Sequence, residues 1–222
     1  MKKTEVPIKG LIHNNVKRKA RIRKDHKNKI SKVLISPTYI NKKIKSLAKH
    51  IVSDSKKEKI SKIEIVVVLK GASTFATVLT QEIFNLGGPN LRVHYVKASS
   101  YKGKIKSSGK VSVEGDLKHL KNKYVIIVED IIDTGLTITK LKQYLLARCK
   151  VSSVKTCTLL NKEARRIDAL KGKILIEYKG FDVPDLFIVG FGMDYEDEFR
   201  ELPYIAVYKE ECCLPSSCET LI

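Results

Sequence analysis

The feature that most constrains the fold is a segment of thirteen residues, 125–137, which joins an apolar run to two adjacent acids and a small polar turn. Residues 124–128 are almost purely apolar, which is typical of a parallel strand buried on both faces of a sheet. Asp133, Thr134 and Gly135 then form a turn, after which apolar residues recur at helical spacing. The segment therefore predicts a strand, a tight turn and a helix.

The rest of the chain alternates between predicted strands and predicted helices. Helical spacing of apolar residues begins at about Thr38 and recurs over residues 73–86. Residues 99–115 are rich in lysine, glycine and serine, and they predict a long, mobile loop. Further strands are predicted at residues 63–69, 91–97, 154–160, 174–178, 186–189 and 205–208. This alternation predicts an α/β fold with a mainly parallel central sheet flanked by helices.

The predicted turn has the chemistry of a binding site for a sugar phosphate. In open α/β sheets, ligands bind at the carboxyl ends of the strands, where a helix N-terminus offers backbone amides to an anion. The hydroxyls of Thr134 and Thr137 add to these amides, and Gly135 lets a phosphate approach the backbone closely. Glu129 and Asp130 are placed to accept hydrogen bonds from vicinal hydroxyls, as on a ribose. The alternative is that the acids only end the strand and that the turn is an ordinary helix cap.

Positive charge is concentrated near the N-terminus. The formal net charge is +19, and residues 1–32 carry 12 Lys and Arg against Glu5 and Asp25. A basic arm of this kind can bind nucleic acid or an anionic surface, whereas the alternative is a solvated, disordered leader. The remaining charge of +9 suits an enzyme whose substrates are polyanionic.

Hydropathy and the five cysteines are both consistent with the cytoplasm. No run of about 18 apolar residues predicts a transmembrane helix, and the N-terminus lacks the apolar stretch of a secretory signal. Cys149 and Cys157 lie in apolar segments and are expected in the core. Cys212, Cys213 and Cys218 could bind a metal, but no further cysteine or histidine lies nearby to complete a tetrahedral set. We expect reduced thiols in a tail.

Residues 125–137 resemble the phosphoribosyl pyrophosphate motif of the type I phosphoribosyltransferases, and Asp133 marks the hypoxanthine-guanine branch of that family. The resemblance covers roughly residues 30 to 208. It implies the type I phosphoribosyltransferase fold for residues 30–210, with a small hood built from about residues 30–40 and 170–210. Residues 1–29 would then be a basic, flexible arm, and residues 211–222 a C-terminal tail.

Other segments match the same family. Leu69-Lys70-Gly71 resembles its pyrophosphate-binding loop, in which the peptide before the lysine is often cis. Ser100-Tyr101 resembles the dipeptide of its flexible lid, and Lys162 matches the lysine that reads the purine 6-oxo group. The base-stacking and metal segment of the family is resembled by residues 180–185, 187–190 and 193–195.

The resemblance implies a site for phosphoribosyl pyrophosphate and Mg²⁺. The magnesium ligands would be Glu129, Asp130 and Asp194. Leu136 stands where a lysine is frequent in the family, but its backbone donor is kept, and Arg166 lies at the offset of a second pyrophosphate arginine. The residues that would bind phosphoribosyl pyrophosphate are Lys70, Gly71, Glu129, Asp130, Asp133, Thr134, Gly135, Leu136, Thr137 and Arg200.

The resemblance also implies a purine site. Lys162 would donate to the 6-oxo oxygen and Phe187 would stack on the ring, although a phenylalanine in an apolar strand is by default a core residue. Ile188 would offer backbone groups to the edge of the purine, with Asp194 beside it. Asp133 would be the catalytic residue, handling the ring proton of the purine as a general acid and base.

The implied function is purine salvage. The 5-phosphoribosyl group of phosphoribosyl pyrophosphate would pass to hypoxanthine or guanine, with the use of xanthine left open. The family resemblance implies a homodimer or homotetramer that is not bound to a membrane. The alternative on the same fold is a regulator that senses phosphoribosyl pyrophosphate and binds nucleic acid through the basic arm.

Overall fold

The computed structural model describes residues 22, 26–100, 111–114 and 117–209, with side chains over residues 22, 26–97 and 117–209. Most of the predicted basic arm lies outside these ranges, as does Tyr101 of the predicted lid. Cys212, Cys213 and Cys218 also lie outside them. Ser100 is described through its backbone alone, as the last residue of a strand.

The central sheet is mainly parallel, as predicted. The strands of the described ranges are β1 Ile30–Ile35, β2 Lys62–Leu69, β3 Asn90–Ser100, β4 Val111–Glu114, β5 Tyr124–Ile132, β6 Ser153–Asn161, β7 Tyr178–Asp182, β8 Ile188–Val189 and β9 Ile205–Tyr208. Six of them form one sheet in the order β4-β3-β2-β5-β6-β7. All neighbours in this sheet are parallel except β4, which pairs antiparallel with β3.

Helices cover both faces of the central sheet. They are α1 Pro37–Lys57, α2 Ala72–Asn85 and α3 Leu136–Ala147. Because successive strand residues point to opposite faces, β2 supplies both cores. Ile65 and Val67 pack with α1 and α2, whereas Val66 and Val68 pack on the side of α3. Among the helices of the described ranges, none is long and apolar enough to cross a membrane.

A second, three-stranded sheet joins the two ends of the described chain. β9 pairs antiparallel with β1 on one side and with β8 on the other. This sheet has its own core, which includes Ile30, Val189, Phe199 and Tyr208. The connection between β8 and β9 is therefore anchored at both ends, and it carries Asp194 and Arg200 of the predicted site.

The predicted strand at residues 174–178 is wrong, because β7 begins only at Tyr178. Ile174 and Ile176 instead pack against the core on the side of α3, and the side chain of Leu175 is 69% exposed. Apolar residues of a loop that pack against the core have the same composition as apolar residues of a strand. Composition alone therefore does not distinguish such a loop from a strand.

The predicted loop at residues 99–115 is also partly wrong. Ser99 and Ser100 continue β3, and they pair with Ser112 and Val111 of β4. Because β4 is an antiparallel edge strand, its alternating Val-Ser-Val-Glu sequence is compatible with one solvated face. Residues 99–115 contain few apolar residues, so the sequence offers no strand signal for the pairing of β3 with β4.

Candidate active site

Polar loops meet at the carboxyl edge of the central sheet. β2 ends just before Lys70, β5 just before Asp133 and β6 just before Lys162. The three strands are parallel neighbours, so their loops emerge side by side. The fold thereby brings together three segments that were predicted from separate parts of the chain.

The loop after β2 packs directly against the acids of β5. The peptide between Leu69 and Lys70 is cis, as the family resemblance implied. A Cβ atom on Gly71 would lie 1.9 Å from Asp130 Oδ2, and a Cβ on Gly192 would lie 2.2 Å from the carbonyl oxygen of Gly71. The loop is therefore held between β5 and the β8–β9 connection, at a spacing that only glycine allows.

The turn after β5 is shaped to present backbone amides. Gly135 has a φ of 84°, and a Cβ there would lie 2.2 Å from Ile174 Cδ1. The amide of Leu136 donates to Thr134 Oγ1 at 3.4 Å, and the amide of Thr139 donates to the Gly135 carbonyl at 3.1 Å. Because an α-helix leaves its first amides without intrahelical acceptors, the N-terminus of α3 offers donors to an anion.

Glu129 is a buried acid, and its neighbour Asp130 is partly buried. Within the described side chains, neither forms an ion pair within 4.0 Å, and Glu129 Oε2 has no hydrogen-bond partner. Burial first, and then the charge of Asp130, raises the pKa of Glu129 to about 8. Burial also raises the pKa of Asp130 to about 6, against hydrogen bonds from its own amide and that of Ile131. Two acids held in this way are suited to accept ligand hydroxyls or a cation.

Arg166 is buried beneath the turn after β5 and its side chain does not point into solvent. Its side chain is buried, with Nη1 donating to the Asp133 carbonyl at 2.8 Å and Nη2 donating to Asn161 Oδ1 at 2.5 Å. Asn161 in turn donates to Asp182 Oδ1 at 2.7 Å. The guanidinium that was expected to reach pyrophosphate is thus committed to positioning the turn in this structure.

Charged groups also connect Asp133 with the predicted purine lysine. Lys162 is buried, and its Nζ lies 3.9 Å from Asp185 Oδ1. Arg165 lies between two carboxylates, with Nε 3.5 Å from Asp133 Oδ1 and Nη1 3.6 Å from Asp185 Oδ1. Asp133 and Lys162 are therefore linked through Arg165 and Asp185.

Phe187 directly precedes β8, and Ile188 is the first residue of that strand. Phe187 is 40% exposed. Its ring centroid lies 5.5 Å from that of Tyr195 and 5.8 Å from that of Tyr208. Ile188 is buried and pairs with Val207 of β9.

The β8–β9 connection supplies acids and one arginine. Arg200 Nη2 lies 2.9 Å from Asp194 Oδ1 and 2.8 Å from Asp197 Oδ1, and its Nη1 donates to the Gly192 carbonyl at 2.8 Å. Lys70, from the loop after β2, binds the same Asp197 oxygen at 2.9 Å. Asp197 therefore brings together Lys70 and Arg200, which were both predicted to bind pyrophosphate. Asp197 itself was not predicted to belong to the site.

Four residues of the site were missed, namely Asn161, Arg165, Asp185 and Asp197. Each owes its place to contacts between distant parts of the chain. Asp197, for example, meets Lys70 across 127 positions. A single sequence gives no local signal for such contacts.

The predicted magnesium ligands do not form a closed metal cage. Across residues 22, 26–97 and 117–209, no three side chains of His, Cys, Asp or Glu come together as a site that could hold a metal ion. Burial above all raises the pKa of Asp130, and the charge of Asp194 adds to this effect. Mg²⁺ usually binds one or two carboxylates together with waters and substrate phosphates. The buried, unpartnered Glu129 oxygen and its neighbour Asp130 fit an ion of that kind.

Comparison with known proteins identifies relatives over most of the chain. The model of the phosphoribosyl transferase domain matches residues 37–196. A hypoxanthine-guanine phosphoribosyltransferase of Dictyostelium discoideum is 35% identical over 181 residues, which is 81% of this chain and 96% of that protein. The Bacillus subtilis protein of the same name is 39% identical over 184 residues, with 82% and 96% covered.

Solved structures agree with these relatives. A hypoxanthine phosphoribosyl transferase of Trypanosoma cruzi has a TM-score of 0.75 at 30% identity, covering 87% of this chain and 96% of that one. A hypoxanthine phosphoribosyltransferase of Staphylococcus aureus has a TM-score of 0.74 at 33% identity, with 86% and 98% covered.

Proposed function

Because the chain belongs to the phosphoribosyl transferase family, with the type I phosphoribosyltransferase fold, we propose that it is a hypoxanthine-guanine phosphoribosyltransferase of purine salvage. It transfers the 5-phosphoribosyl group of phosphoribosyl pyrophosphate to hypoxanthine or guanine, giving IMP or GMP and pyrophosphate. The observation that carries this proposal is the identity of 35% and 39% to enzymes of that name along nearly their whole length. The geometry supports it, because the buried Glu129 and its neighbour Asp130 adjoin a turn whose backbone amides are suited to hold a phosphate.

The donor would bind across the carboxyl ends of β2 and β5. Its 5′-phosphate would accept from the amides at the N-terminus of α3 and from the hydroxyls of Thr134 and Thr137. Glu129 and Asp130 would accept hydrogen bonds from the ribose hydroxyls. The pyrophosphate end would lie toward Lys70 and Arg200, where positive charge is available.

Magnesium would enter with the donor. Glu129, Asp130 and Asp194 are the acids that would hold it, directly or through the hydroxyls that they bind. When bound, Mg²⁺ supplies positive charge to the departing pyrophosphate. This role agrees with the absence of a closed protein cage among the described side chains.

The reaction exchanges one bond at the anomeric carbon. A ring nitrogen of the purine forms a bond to that carbon while the bond to pyrophosphate breaks with its electron pair. Asp133 would take the ring proton as a general base, and Lys162 would donate to the 6-oxo oxygen of the purine. The carbonyl of Asp133 is fixed by Arg166, so the acid is held in place before the substrate arrives.

The second sheet is proposed to be the hood over the purine. β1 and β9 pair there, and Phe187 keeps a partly exposed ring for stacking. Ser100, which ends β3, and Tyr101, which follows it in the sequence, are proposed to belong to a lid that closes over the site.

A homodimer or homotetramer is also proposed. Three large apolar side chains near one another in the chain are exposed: Phe84 by 81%, Val93 by 40% and Tyr95 by 52%. Leu91 and Phe84 line the same depression, and Leu91, Val93 and Tyr95 share one face of β3. An exposed apolar strip of this kind is typical of a protein interface. A cytoplasmic location is proposed as well, in line with the buried, reduced thiol of Cys157.

The regulator alternative is not supported, because the relatives are named as enzymes along almost their full length. Product formation from phosphoribosyl pyrophosphate with each of hypoxanthine, guanine, xanthine and adenine tests the proposal. A salt-dependent nucleic-acid binding assay on the full chain tests the alternative. Turnover with hypoxanthine and guanine supports the enzyme. Nucleic-acid binding without turnover would instead favour the regulator.

A further inference from the structure

One carboxylate oxygen bridges the two cations that are proposed to bind pyrophosphate. Asp197 Oδ1 accepts a hydrogen bond from Lys70 Nζ at 2.9 Å and another from Arg200 Nη2 at 2.8 Å. The two donors come from opposite sides of the site, since Lys70 follows β2 and Arg200 lies in the β8–β9 connection. A single anionic oxygen between two cations is the arrangement that an oxygen of a bound pyrophosphate would adopt.

The bridging acid sits on an exposed turn. Its side chain is 64% exposed, and its backbone has a φ of 65°. The turn is closed by hydrogen bonds between the backbones of Tyr195 and Glu198, and the Asp197 amide donates to Asp194 Oδ2 at 2.9 Å. None of these turn contacts uses the Asp197 carboxylate, so the side chain can leave the cations without unfolding the turn.

We propose that Asp197 is an intramolecular competitor of pyrophosphate, which occupies the place of a ligand oxygen between Lys70 and Arg200 and must be displaced when the donor or the pyrophosphate product binds. The inference rests on the proposed function, because it takes both cations as pyrophosphate ligands. It assigns Asp197 a role in setting the affinity of the site for its anionic ligands.

Displacement is feasible because the Asp197 ion pairs are exposed. Side chains of Lys70 and Asp197 are 63% and 64% exposed, so solvent screens their attraction strongly. Arg200 would keep its bonds to Asp194 and to the Gly192 carbonyl after Asp197 leaves. The arginine therefore stays in position for the incoming ligand.

The Asp197 carboxylate is held in its charged form by the two cations that it bridges. Hydrogen bonds and charges from Arg200 and Lys70 lower the pKa of Asp197 to about 2. Competition opposes donor and product alike, so it weakens binding in both directions and favours release of pyrophosphate.

The test compares two single substitutions in the same turn. Asp197→Asn removes the charge and keeps the backbone, since asparagine adopts positive φ more readily than most residues. Glu198→Gln is the matched control. This substitution removes one negative charge from the neighbouring residue. The Glu198 side chain accepts a hydrogen bond from Lys29 Nζ at 2.8 Å and does not contact Lys70 or Arg200.

Binding of inorganic pyrophosphate to the full chain with Mg²⁺ is measured by calorimetry, beside turnover with hypoxanthine. We expect Asp197→Asn to tighten pyrophosphate binding roughly threefold to tenfold and to lower KM for phosphoribosyl pyrophosphate similarly, as befits the loss of two exposed ion pairs. Glu198→Gln should change both values less than about twofold, because only its longer-range charge is lost.

The outcomes separate this inference from the proposed function. One outcome is that the wild-type enzyme turns over but Asp197→Asn binds pyrophosphate equally or more weakly. Asp197 would then position the two cations for the ligand, and the inference would be wrong although the proposed function is supported. Equal tightening by Glu198→Gln would also overturn it, because general charge would then explain the effect. If the wild-type protein neither turns over nor binds pyrophosphate, both the inference and the proposed function are wrong. Tightening by Asp197→Asn without any turnover would support the inference and remove the proposed function.

Discussion

The backbone of Gly71 lies so close to the Asp130 carboxylate that a Cβ atom on Gly71 would stand 1.9 Å from Oδ2. This contact joins the loop proposed to bind pyrophosphate to the acids proposed to bind ribose. The loop and the acid that are proposed to bind the two parts of the donor are therefore held in a fixed relation before the donor binds. Arg166 acts in a similar way on the next loop, because it fixes the Asp133 carbonyl.

Substitution of Gly71 is expected to disturb this relation. Gly71→Ala must move the loop or Asp130 by more than 1 Å, because real carbon atoms do not approach an oxygen to 1.9 Å. A misplacement of that size can cost about 10²-fold in rate, so kcat/KM for phosphoribosyl pyrophosphate should fall by about that factor. Steady-state kinetics measure it, with Thr77→Ala on the exposed side of α2 as a control. Unchanged kinetics would show that the contact is not needed.

Asp133 is expected to act in the chemical step and not in donor binding. Asp133→Asn keeps the carbonyl that Arg166 binds and keeps the shape of the turn. The loss of general acid/base catalysis should lower kcat by about 10²–10⁴-fold while KM for phosphoribosyl pyrophosphate changes little. Circular dichroism checks the fold. An enzyme with normal kcat would remove Asp133 from the mechanism.

Lys162 is expected to set the preference for oxopurines. Its buried ammonium would donate to the 6-oxo oxygen, and the amino group of adenine cannot accept that bond. Lys162→Ala should lower kcat/KM for hypoxanthine by roughly 10- to 100-fold, the value of a hydrogen bond from a charged donor. The exposed Lys171, which binds Asp168 at 2.6 Å, provides the control Lys171→Ala. Similar losses in both variants would mean that the purine site lies elsewhere.

The buried acids are expected to make the unliganded protein less stable as pH rises. Burial raises the pKa of Glu129 from 4.5 to about 8, so between these values the folded chain keeps a proton that the unfolded chain has lost. The free energy of unfolding therefore falls as pH rises through this window, and the contribution is complete only below it. Asp130, whose pKa rises from 3.8 to about 6, acts in the same direction at lower pH.

Glu129→Gln tests this expectation, because glutamine cannot ionise. The melting temperature of the variant relative to wild type should increase from about pH 5 to about pH 8.5, by roughly 2–4 °C for each kcal/mol regained. Scanning fluorimetry without ligand or Mg²⁺ measures it. A difference in melting temperature that is the same at both pH values would contradict the raised pKa of Glu129.

Local patterns predicted the centre of the molecule well. The strand, turn and helix around residues 124–137 were predictable because burial on both faces leaves an unbroken apolar run, and because Gly135 marks a turn that needs positive φ. Residues 174–178 were predicted wrongly, because Ile174 and Ile176 pack against the core on the side of α3 and only Tyr178 belongs to β7.

The electrostatic connections of the site were not predictable from one sequence. Asp197 reaches Lys70 through the second sheet, and Arg165 reaches Asp133 across the ends of β5 and β6. These contacts depend on how the two sheets are placed, which no local pattern records. Arg166 had the right position in the chain for a ligand contact, but its burial under the turn gives it a supporting role.

The most direct test of the central claim is the stoichiometry of products formed from phosphoribosyl pyrophosphate and hypoxanthine by the wild-type protein with Mg²⁺. The proposed mechanism predicts one IMP and one pyrophosphate for each donor consumed, a corresponding yield of GMP from guanine, and no comparable product from adenine. Donor loss without IMP, or equal yields from adenine, would contradict it.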